Sequence, residues 1–377
     1  MDTCTDDFLR LTAPVGGIDC TNSGPVSIHN PAGLDNGTMP AIELLLVVGA
    51  IAGLVHARRQ RGRSGDASGL VVWWSGIVCL LLIEPVAYFP QWFGVQEHMG
   101  LTFVHNQFSV QFLFNRLPLY IVAMYPAFAY VSYALVDRAG VLRRHGPVVG
   151  ATCVAFVFHC SYEVIDHVGP QLGWWLWNND APTGAPRLGV VPYVNLAAFS
   201  LAIPFGIALL TLVTARGSSG VLRRVVLVSV GTLPILFVSS IPTTVLDLAG
   251  MTTSTARIVG TWLLVIAAGA VTAWALVGAA RHGTPTTDPA ASGRFVVVAA
   301  AAYLLVSAGV WLHAAGDYRE ASERLSPGDF ATVGAWYSAL CAGLCVVLVV
   351  LGERAAAARA DGGEAGSSVP STGAVPA

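Results

Sequence analysis

The stretch PVVGATCVAFVFHCSYEVID, residues 147–166, is long and apolar enough to cross a bilayer, yet its second half carries ionisable residues. About 20 mainly apolar residues span the ~30 Å hydrocarbon core as a helix. Similar stretches recur along the chain, and 54% of its 377 residues are hydrophobic. These runs are continuous rather than alternating, which favours helices over a β-barrel. The sequence therefore predicts an all-α, polytopic transmembrane helical bundle of about nine spans. The predicted spans are residues 40–57, 69–89, 117–136, 147–166, 191–213, 225–246, 258–279, 294–313 and 330–351.

Arginine decides the predicted orientation, because all 20 basic residues of the chain are arginine. Basic residues collect on the cytoplasmic side of membrane proteins. Fourteen of the arginines flank the span ends on the side of the carboxyl terminus, and six flank the opposite ends. The sequence thus predicts a multi-pass plasma-membrane protein with its amino terminus outside and its carboxyl terminus inside.

The chain divides into three predicted segments. Residues 1–39 lack the basic and apolar regions of a signal peptide and are expected to form an extracytoplasmic tail. Residues 40–351 form the transmembrane helical domain, and residues 352–377, which are small and polar, are expected to be a disordered cytoplasmic tail. Cys4 and Cys20 would share an oxidising compartment and could pair. A net charge of −2 without a basic patch argues against nucleic acid as a partner.

Four ionisable residues lie close together in and just after the fourth span: His159, Glu163, Asp166 and His167. At roughly 100° per residue they fall within a sector of about 100° on one helix face. Ionisable residues inside a membrane are rare and mark pairing or function. Glu163 with a histidine four residues away is a plausible acid and base pair. His159 could instead be a neutral packing residue, and His167 could be solvated at the membrane boundary.

Further polar residues are predicted at the outer ends of other spans. Glu84, Arg116 and Asn195 end or begin the second, third and fifth spans on the outer side. Glu84 precedes Pro85, so it could simply satisfy a backbone donor near a helix kink. Their convergence nevertheless predicts an outward-facing pocket. The residues predicted to be catalytic are Glu163, His159, Glu84 and Asp166.

Two long outer loops, residues 90–116 and 167–190, add histidines and tryptophans. The second loop contains GWWLWNNDAPTG. Tryptophans at this depth are typical of the interfacial belt of membrane proteins, but they could also line a pocket for an apolar molecule with a polar end. The residues predicted to bind substrate are Arg116, Asn195, Trp174, Trp177, His98 and His105.

Two other kinds of function compete with acid/base chemistry. The histidines and carboxylates could serve as zinc or iron ligands, although the chain has no HExxH or HxxHH motif. Intramembrane acids also mark the proton and substrate paths of transporters, although here the polar residues collect near one membrane surface. The acid/base interpretation requires no cofactor and no metal; its partners would be the lipid bilayer and a hydrophobic small-molecule substrate.

Four segments carry a resemblance to a known family. WWSGIVCLLLIEPVAYFPQW (73–92), NRLPLYIVAMYPAF (115–128), YEVIDHVGPQLGWWLW (162–177) and VPYVN (191–195) resemble the AveC-like spirocyclase family, multi-pass membrane proteins common in actinobacteria. The resemblance implies spiroketal formation from a dihydroxy-ketone without a cofactor, or a dehydration, on a polyketide or other lipid-like molecule. The acids and the G-x-W-x-W pattern are also similar to membrane carotenoid hydratases. We therefore expect an enzyme that acts by cyclisation, hydration or dehydration on a polyketide- or isoprenoid-like lipid; the alternatives are a small-molecule or proton-coupled transporter and a metal-dependent enzyme.

Overall fold

The computed structural model describes residues 3–15, 17–18, 23–215, 220–282, 294–313 and 330–365. Within these residues, nine helices are long and apolar enough to cross a membrane, and each overlaps one predicted span. The prediction of an all-α polytopic bundle is confirmed. The helices are α1 Asp6–Thr12, α2 Thr38–Ser64, α3 Ser68–Tyr88, α4 Gln96–Met99, α5 Leu119–Arg138, α6 Val141–Arg144, α7 Pro147–Val168, α8 Tyr193–Ala197, α9 Ile203–Thr214, α10 Val221–Ser239, α11 Ile241–Leu248, α12 Thr253–His282, α13 Phe295–His313 and α14 Phe330–Ala365.

Two of the spans are interrupted helices. A π-helical turn at Ala198–Ala202 joins α8 to α9 within the fifth span, and Pro204, which has no backbone N–H to donate, is the second residue of α9. The sixth span bends at Ser240 between α10 and α11, where Pro242 begins the second helix. The first of these interruptions places Ser200 against α7, as described below.

The centre of the bundle is formed by α5 and α7. In their apolar windows 83% and 72% of the residues are buried, against 17% in α13. Helices approach closely in membranes where small residues meet, because association there depends on van der Waals packing. Gly76 of α3 shows this: a Cβ added to it would lie 3.1 Å from Pro126 in α5. The central helices are therefore the ones that can hold a buried site.

Seven short strands lie in the connections between the helices and the amino-terminal segment. They form three antiparallel sheets, β1-β3-β4, β2-β5 and β6-β7. Strands of two or three residues show too little alternation to be recognised from sequence, so none was expected. The strands are β1 Val26–Ile28, β2 Phe103–His105, β3 Val110–Phe112, β4 Leu117–Pro118, β5 Trp175–Trp177, β6 Arg187–Leu188 and β7 Val191–Pro192.

The β2-β5 sheet has two different faces, and we call it the roof. Side chains alternate between the faces of a strand, so the central pair, Val104 and Leu176, points away from the flanking pairs. Val104 and Leu176 pack against Phe8 and Leu11 of α1 in a small apolar cluster of their own. The flanking pairs, which face the helical bundle, are Phe103 with Trp177 and His105 with Trp175.

Arg116 fastens the amino-terminal segment to the bundle. Its guanidinium carbon lies 3.7 Å from the centroid of the Phe8 ring and 4.7 Å from that of Phe89. It also donates hydrogen bonds to the carbonyl oxygens of Thr3 and, at 3.0 Å, Tyr88. The sequence predicted only a tail for residues 1–39, whereas this part of it is packed against the protein.

Two further predictions concern the segments near the two ends of the sequence. Cys4 is disulfide-bonded, and Cys20, its predicted partner, lies outside the described residues. A disordered tail was expected from residue 352, whereas α14 continues to Ala365. Residues 366–377 lie outside the described residues, so for them disorder stays a prediction.

Candidate functional site

A cavity lies directly beneath the roof, between α3, α5, α7 and the fifth span. Its free volume is about 20 Å³. That is room for about one water, so the lining side chains nearly fill the cavity in this conformation. Its lining residues are Glu84, Phe103, His105, Ile121, Met124, Tyr125, Tyr162, Ile165, Asp166, Trp175, Trp177, Asn195 and Phe199.

Two buried carboxyl groups reach this cavity from different helices. Asp166 lies in the last turns of α7 and accepts a hydrogen bond of 2.6 Å from the Asn195 amide, which the first turn of α8 provides. Glu84 lies near the end of α3, is 2% exposed, and its Oε2 atom has no hydrogen-bond partner within the described part of the chain. The two carboxyls therefore differ: one accepts an aligned hydrogen bond from an amide, whereas the other has the Tyr88 hydroxyl beside it but no aligned hydrogen bond at Oε2.

His105 is the third polar group of the cavity and comes from the roof. Its Nδ1 atom lies 3.0 Å from the hydroxyl of Tyr120, whereas Nε2 has no hydrogen-bond partner among the described residues. Burial among aromatic rings lowers the pKa of His105 from 6.5 to about 3, because a charged imidazole would lose its hydration. At neutral pH His105 is therefore uncharged, and one of its ring nitrogens can accept a proton.

Trp177 adds one more unsatisfied polar atom. Its indole Nε1 also lacks a hydrogen-bond partner in the described structure. Buried polar groups normally have partners, so several orphaned ones around one cavity indicate a place for a polar or charged guest. Two carboxyls, a neutral histidine and an amide can together donate and accept protons on a molecule held between them.

His159 belongs to a second polar cluster on another side of α7. Its Nδ1 lies 2.7 Å from Ser200 Oγ and its Nε2 lies 2.8 Å from Tyr337 Oη in α14. Ser200 Oγ donates to the Leu196 carbonyl oxygen at 2.7 Å, so it accepts from Nδ1–H, and the Tyr337 hydroxyl donates to Nε2. His159 thus has both ring nitrogens satisfied while it is neutral.

Glu163 lies between His159 and His167, and we call these three residues the histidine column. Its carboxyl oxygens are 3.6 Å from His159 Nδ1 and 3.4 Å from His167 Nε2, and its side chain is 0% exposed. Neither oxygen makes an aligned hydrogen bond within the described residues. Consecutive helical residues point about 100° apart, so Asp166 and His167 face different neighbours.

The predicted single acidic face is therefore divided. Asp166 faces the cavity, whereas Glu163, His159 and His167 do not line it. In the part of the chain that the structure describes, no group of three or more His, Cys, Asp or Glu side chains is arranged to hold a metal ion.

The predicted substrate-binding residues separate in the same way. Asn195, Trp177 and His105 line the cavity, together with Glu84 and Asp166 of the catalytic set. Arg116, Trp174 and His98 do not. Arg116 binds the amino-terminal segment, the Trp174 indole donates to Thr38 Oγ1 at 2.9 Å, and His98 is exposed in α4.

Several lining residues were missed from the sequence. Trp175 was not among the predicted substrate-binding residues, although it faces the cavity where Trp174 does not. The missing information is that W-L-W at 175–177 is a strand, which puts its first and third side chains on one face. Tyr125 and Tyr162 were missed because aromatic residues on such helices are ordinarily packing residues of the core.

Comparison with known proteins gives one match. A family model described as "Domain of unknown function (DUF7802)" matches residues 30–216. This region contains every residue that lines the cavity, but not Tyr337, which completes the contacts of the histidine column. No curated protein and no solved structure matches the chain.

Proposed function

We propose that this protein is a membrane-embedded acid/base enzyme that acts on a hydrophobic, polyketide- or isoprenoid-like molecule in the cavity beneath the roof. One observation carries the proposal: carboxyls from α3 and α7, Glu84 and Asp166, line the same cavity as the neutral imidazole of His105. Cyclisation, hydration and dehydration all require a proton to be given to an oxygen or carbon of the substrate and another to be removed.

The residues take distinct roles in this proposal. Glu84, whose Oε2 makes no aligned hydrogen bond, is the proton donor, and Asp166 is the second carboxyl, held in place by Asn195. The Glu84 carboxylate, once it has given its proton away, is the base, and the ring nitrogen of His105 that Tyr120 does not engage can accept a hydrogen bond from a substrate hydroxyl and orient it. The aromatic walls keep bulk water away from the reacting groups, which strengthens their electrostatic interactions.

The closed state of the cavity has a consequence for the reaction cycle. About 20 Å³ of water-accessible space is far too little for a lipid-like substrate. The roof or other lining side chains therefore have to move for substrate to enter, and closure of the roof over the substrate would shut out water before proton transfer. With the amino terminus outside, as the arginine distribution predicts, this entrance would lie on the outer side of the plasma membrane.

The resemblance to AveC-like spirocyclases supports the same proposal. Its segments 73–92, 162–177 and 191–195 contain Glu84, Asp166 and Asn195, together with the roof strand that bears Trp175 and Trp177. Spiroketal formation needs a proton on a carbonyl or departing hydroxyl and a group that takes the proton of the attacking hydroxyl. The cavity residues offer both kinds of group without a cofactor.

The test compares metabolites and lipids of a strain that lacks the protein with those of strains that carry the wild type, Glu84→Gln, Asp166→Asn or Glu163→Gln. The cavity variants keep the side-chain shape, so we expect normal insertion but turnover reduced by roughly 10²–10⁴-fold. Glu163→Gln is the matched control, a buried carboxyl outside the cavity. Full conversion by both cavity variants would overturn the proposal.

The histidine column favours a second candidate, a proton-coupled transporter. Glu163 is fully buried between two histidines, and buried chains of acids and histidines form the proton relays of membrane pumps and transporters. In reconstituted vesicles this function predicts uptake of a chemically unchanged compound, driven by a proton gradient and abolished by Glu163→Gln. Uptake that does not depend on the gradient would reject it.

A further inference from the structure

We propose that the cavity selects for positive charge: it recognises a cationic centre on a hydrophobic molecule, either an ammonium group or a carbon that becomes cationic during the reaction. The proposal deepens the proposed function, and rests on it for the choice of this cavity as the site. It concerns the class of ligand, which the acid/base chemistry alone leaves open.

The walls of the cavity are aromatic on several sides. Six rings line it, from β2, β5, α5, α7 and the π-helical turn: Phe103, Tyr125, Tyr162, Trp175, Trp177 and Phe199. The face of an aromatic ring is electron-rich and attracts cations within about 6 Å of its centroid. The Phe103 and Trp177 rings, whose centroids lie 5.2 Å apart at 68°, pack edge to face, so the rings that line the cavity present differently oriented surfaces to it.

Apart from the neutral His105, the ionisable side chains that line the cavity are all acidic. Glu84 and Asp166 line it, and no arginine does. Arg116, the buried arginine at this end of the bundle, binds the Thr3 and Tyr88 carbonyl oxygens and lies against Phe8. A buried carboxylate without a counter-charge is unfavourable, so a guest that carries positive charge would be stabilised here.

The remaining polar groups do not oppose a cation. His105 is neutral, because burial lowers its pKa to about 3, and its Nε2 is free to interact with the guest. An enolate or other anion would instead meet two carboxyls and no positive side chain. Among acid/base reactions, the cavity therefore fits those that pass through a cation.

A dehydrative cyclisation shows how the charge would develop. The Glu84 carboxyl gives its proton to a substrate hydroxyl, the C–O bond breaks with both electrons going to oxygen, and water leaves behind a carbon cation. A second hydroxyl of the substrate then forms the new C–O bond and returns its proton to the Glu84 carboxylate. The aromatic rings and the carboxylates stabilise the cation between these two events.

The binding test uses three probes of similar size and shape on the purified full-length protein: tetramethylammonium (positive), tert-butanol (neutral) and pivalate (negative). Affinity is measured from ligand-dependent thermal stability and from saturation-transfer NMR. We expect tetramethylammonium to bind about tenfold more tightly than either other probe, the size of a desolvated cation–π contribution. Equal binding of tetramethylammonium and tert-butanol would overturn the proposal.

Variants assign the preference to the cavity. Trp177→Leu and Glu84→Gln should reduce the preference for tetramethylammonium, whereas Trp177→Phe, which keeps a ring, should retain most of it. The matched controls are Trp274→Leu, at a tryptophan 60% exposed on α12, and Glu163→Gln, at a buried carboxyl outside the cavity. A preference that survives both Trp177→Leu and Glu84→Gln would also overturn the proposal.

A conversion assay separates this proposal from the proposed function. If tetramethylammonium is preferred and conversion is inhibited by dimethyldodecylamine more than by dodecanol, the cation develops on the substrate. If tetramethylammonium is preferred but no compound is converted, the site binds ammonium compounds and the enzyme proposal fails alone. If conversion occurs without any preference for the cation, the present proposal fails and the enzyme proposal stands.

Discussion

Acidification from pH 7 to pH 5 should make the roof easier to open through His105, provided that the carboxyls of Glu84 and Asp166, which lie on α3 and α7 and not on the roof, stay buried when it opens. In the closed roof its imidazole cannot take up a proton above about pH 3, because burial lowers its pKa to that value. When the roof opens, the ring enters water, where its pKa is 6.5. Below pH 6.5 the open state therefore binds a proton that the closed state excludes. The stability of the closed roof is complete above pH 6.5 and is lost as the pH falls towards 3.

The size of the effect follows from the two pKa values. At pH 5 the open state lies about 1.5 pH units below its pKa, and each unit is worth about 1.4 kcal/mol. Opening should thus become easier by about 2 kcal/mol, which is roughly a 30-fold larger open fraction. The effect saturates near pH 3, where the closed state also begins to bind the proton.

Hydrogen exchange measures this opening directly. The backbone N–H of Asn106 donates a hydrogen bond across the roof to the Trp174 carbonyl oxygen at 3.0 Å, and that of Asn178 donates to the Thr102 carbonyl oxygen at 2.9 Å. Their protection factors, corrected for the intrinsic pH dependence of exchange, should fall about 30-fold between pH 7 and pH 5. The control is His105→Asn, which keeps a hydrogen-bonding group for Tyr120 but does not titrate.

Comparison with the His105→Asn control shows whether titration of His105 causes the opening. The reasoning requires that His105→Asn lose much less protection than the wild type over the same pH range. If both proteins lose it equally, another group titrates, and the buried imidazole does not control the roof. If neither loses it, the roof does not open in a way that exposes His105.

Three further predictions concern the segments around the site. Phe8→Ala removes a fully buried ring that stacks on Arg116, so it should destabilise the amino-terminal segment and the roof by roughly 3–5 kcal/mol, measured by hydrogen exchange. The control Leu9→Ala, at a residue 45% exposed, should change little. Arg138→Gln breaks an ion pair with Glu353 that is partly open to solvent, so it should lower the free energy of unfolding by no more than about 1 kcal/mol, and thermal unfolding at low and high salt checks this. Reporter fusions should locate the amino terminus outside and the carboxyl terminus inside; the opposite result would place the cavity at the cytoplasmic surface.

The spans were predictable because the bilayer itself imposes their length and composition. The helix α7, for example, begins at Pro147 as predicted and ends two residues after the predicted end at 166. The interrupted fifth and sixth spans were also found, because a π-helical turn or a bend leaves the apolar run unbroken. Sequence alone could therefore give the bundle, although not its interruptions.

The cavity was only partly predictable. Glu84, Asp166, Asn195, His105 and Trp177 were selected because polar and aromatic groups are conspicuous near a membrane surface, and all of them line it. Periodicity placed Glu163 and Asp166 on one face, but a sector about 100° wide is broad enough to contact two different neighbours. Which neighbour each residue meets depends on tertiary packing. For the same reason Arg116 could not be recognised as the residue that fastens the amino-terminal segment.

The roof also sets an order of assembly during synthesis. Residues 3–15 are made before the strand that they cover, β5, which follows about 160 residues later, after the first four spans. At roughly 5–20 residues per second, Phe8 and Leu11 wait on the order of ten seconds or more for their partner Leu176. The amino-terminal segment can thus pack against the roof only after β5 has been made. Until α7 and β5 are in place, the cavity lacks part of its lining. Slower insertion of these segments would lengthen the time for which Phe8 and Leu11 stay exposed.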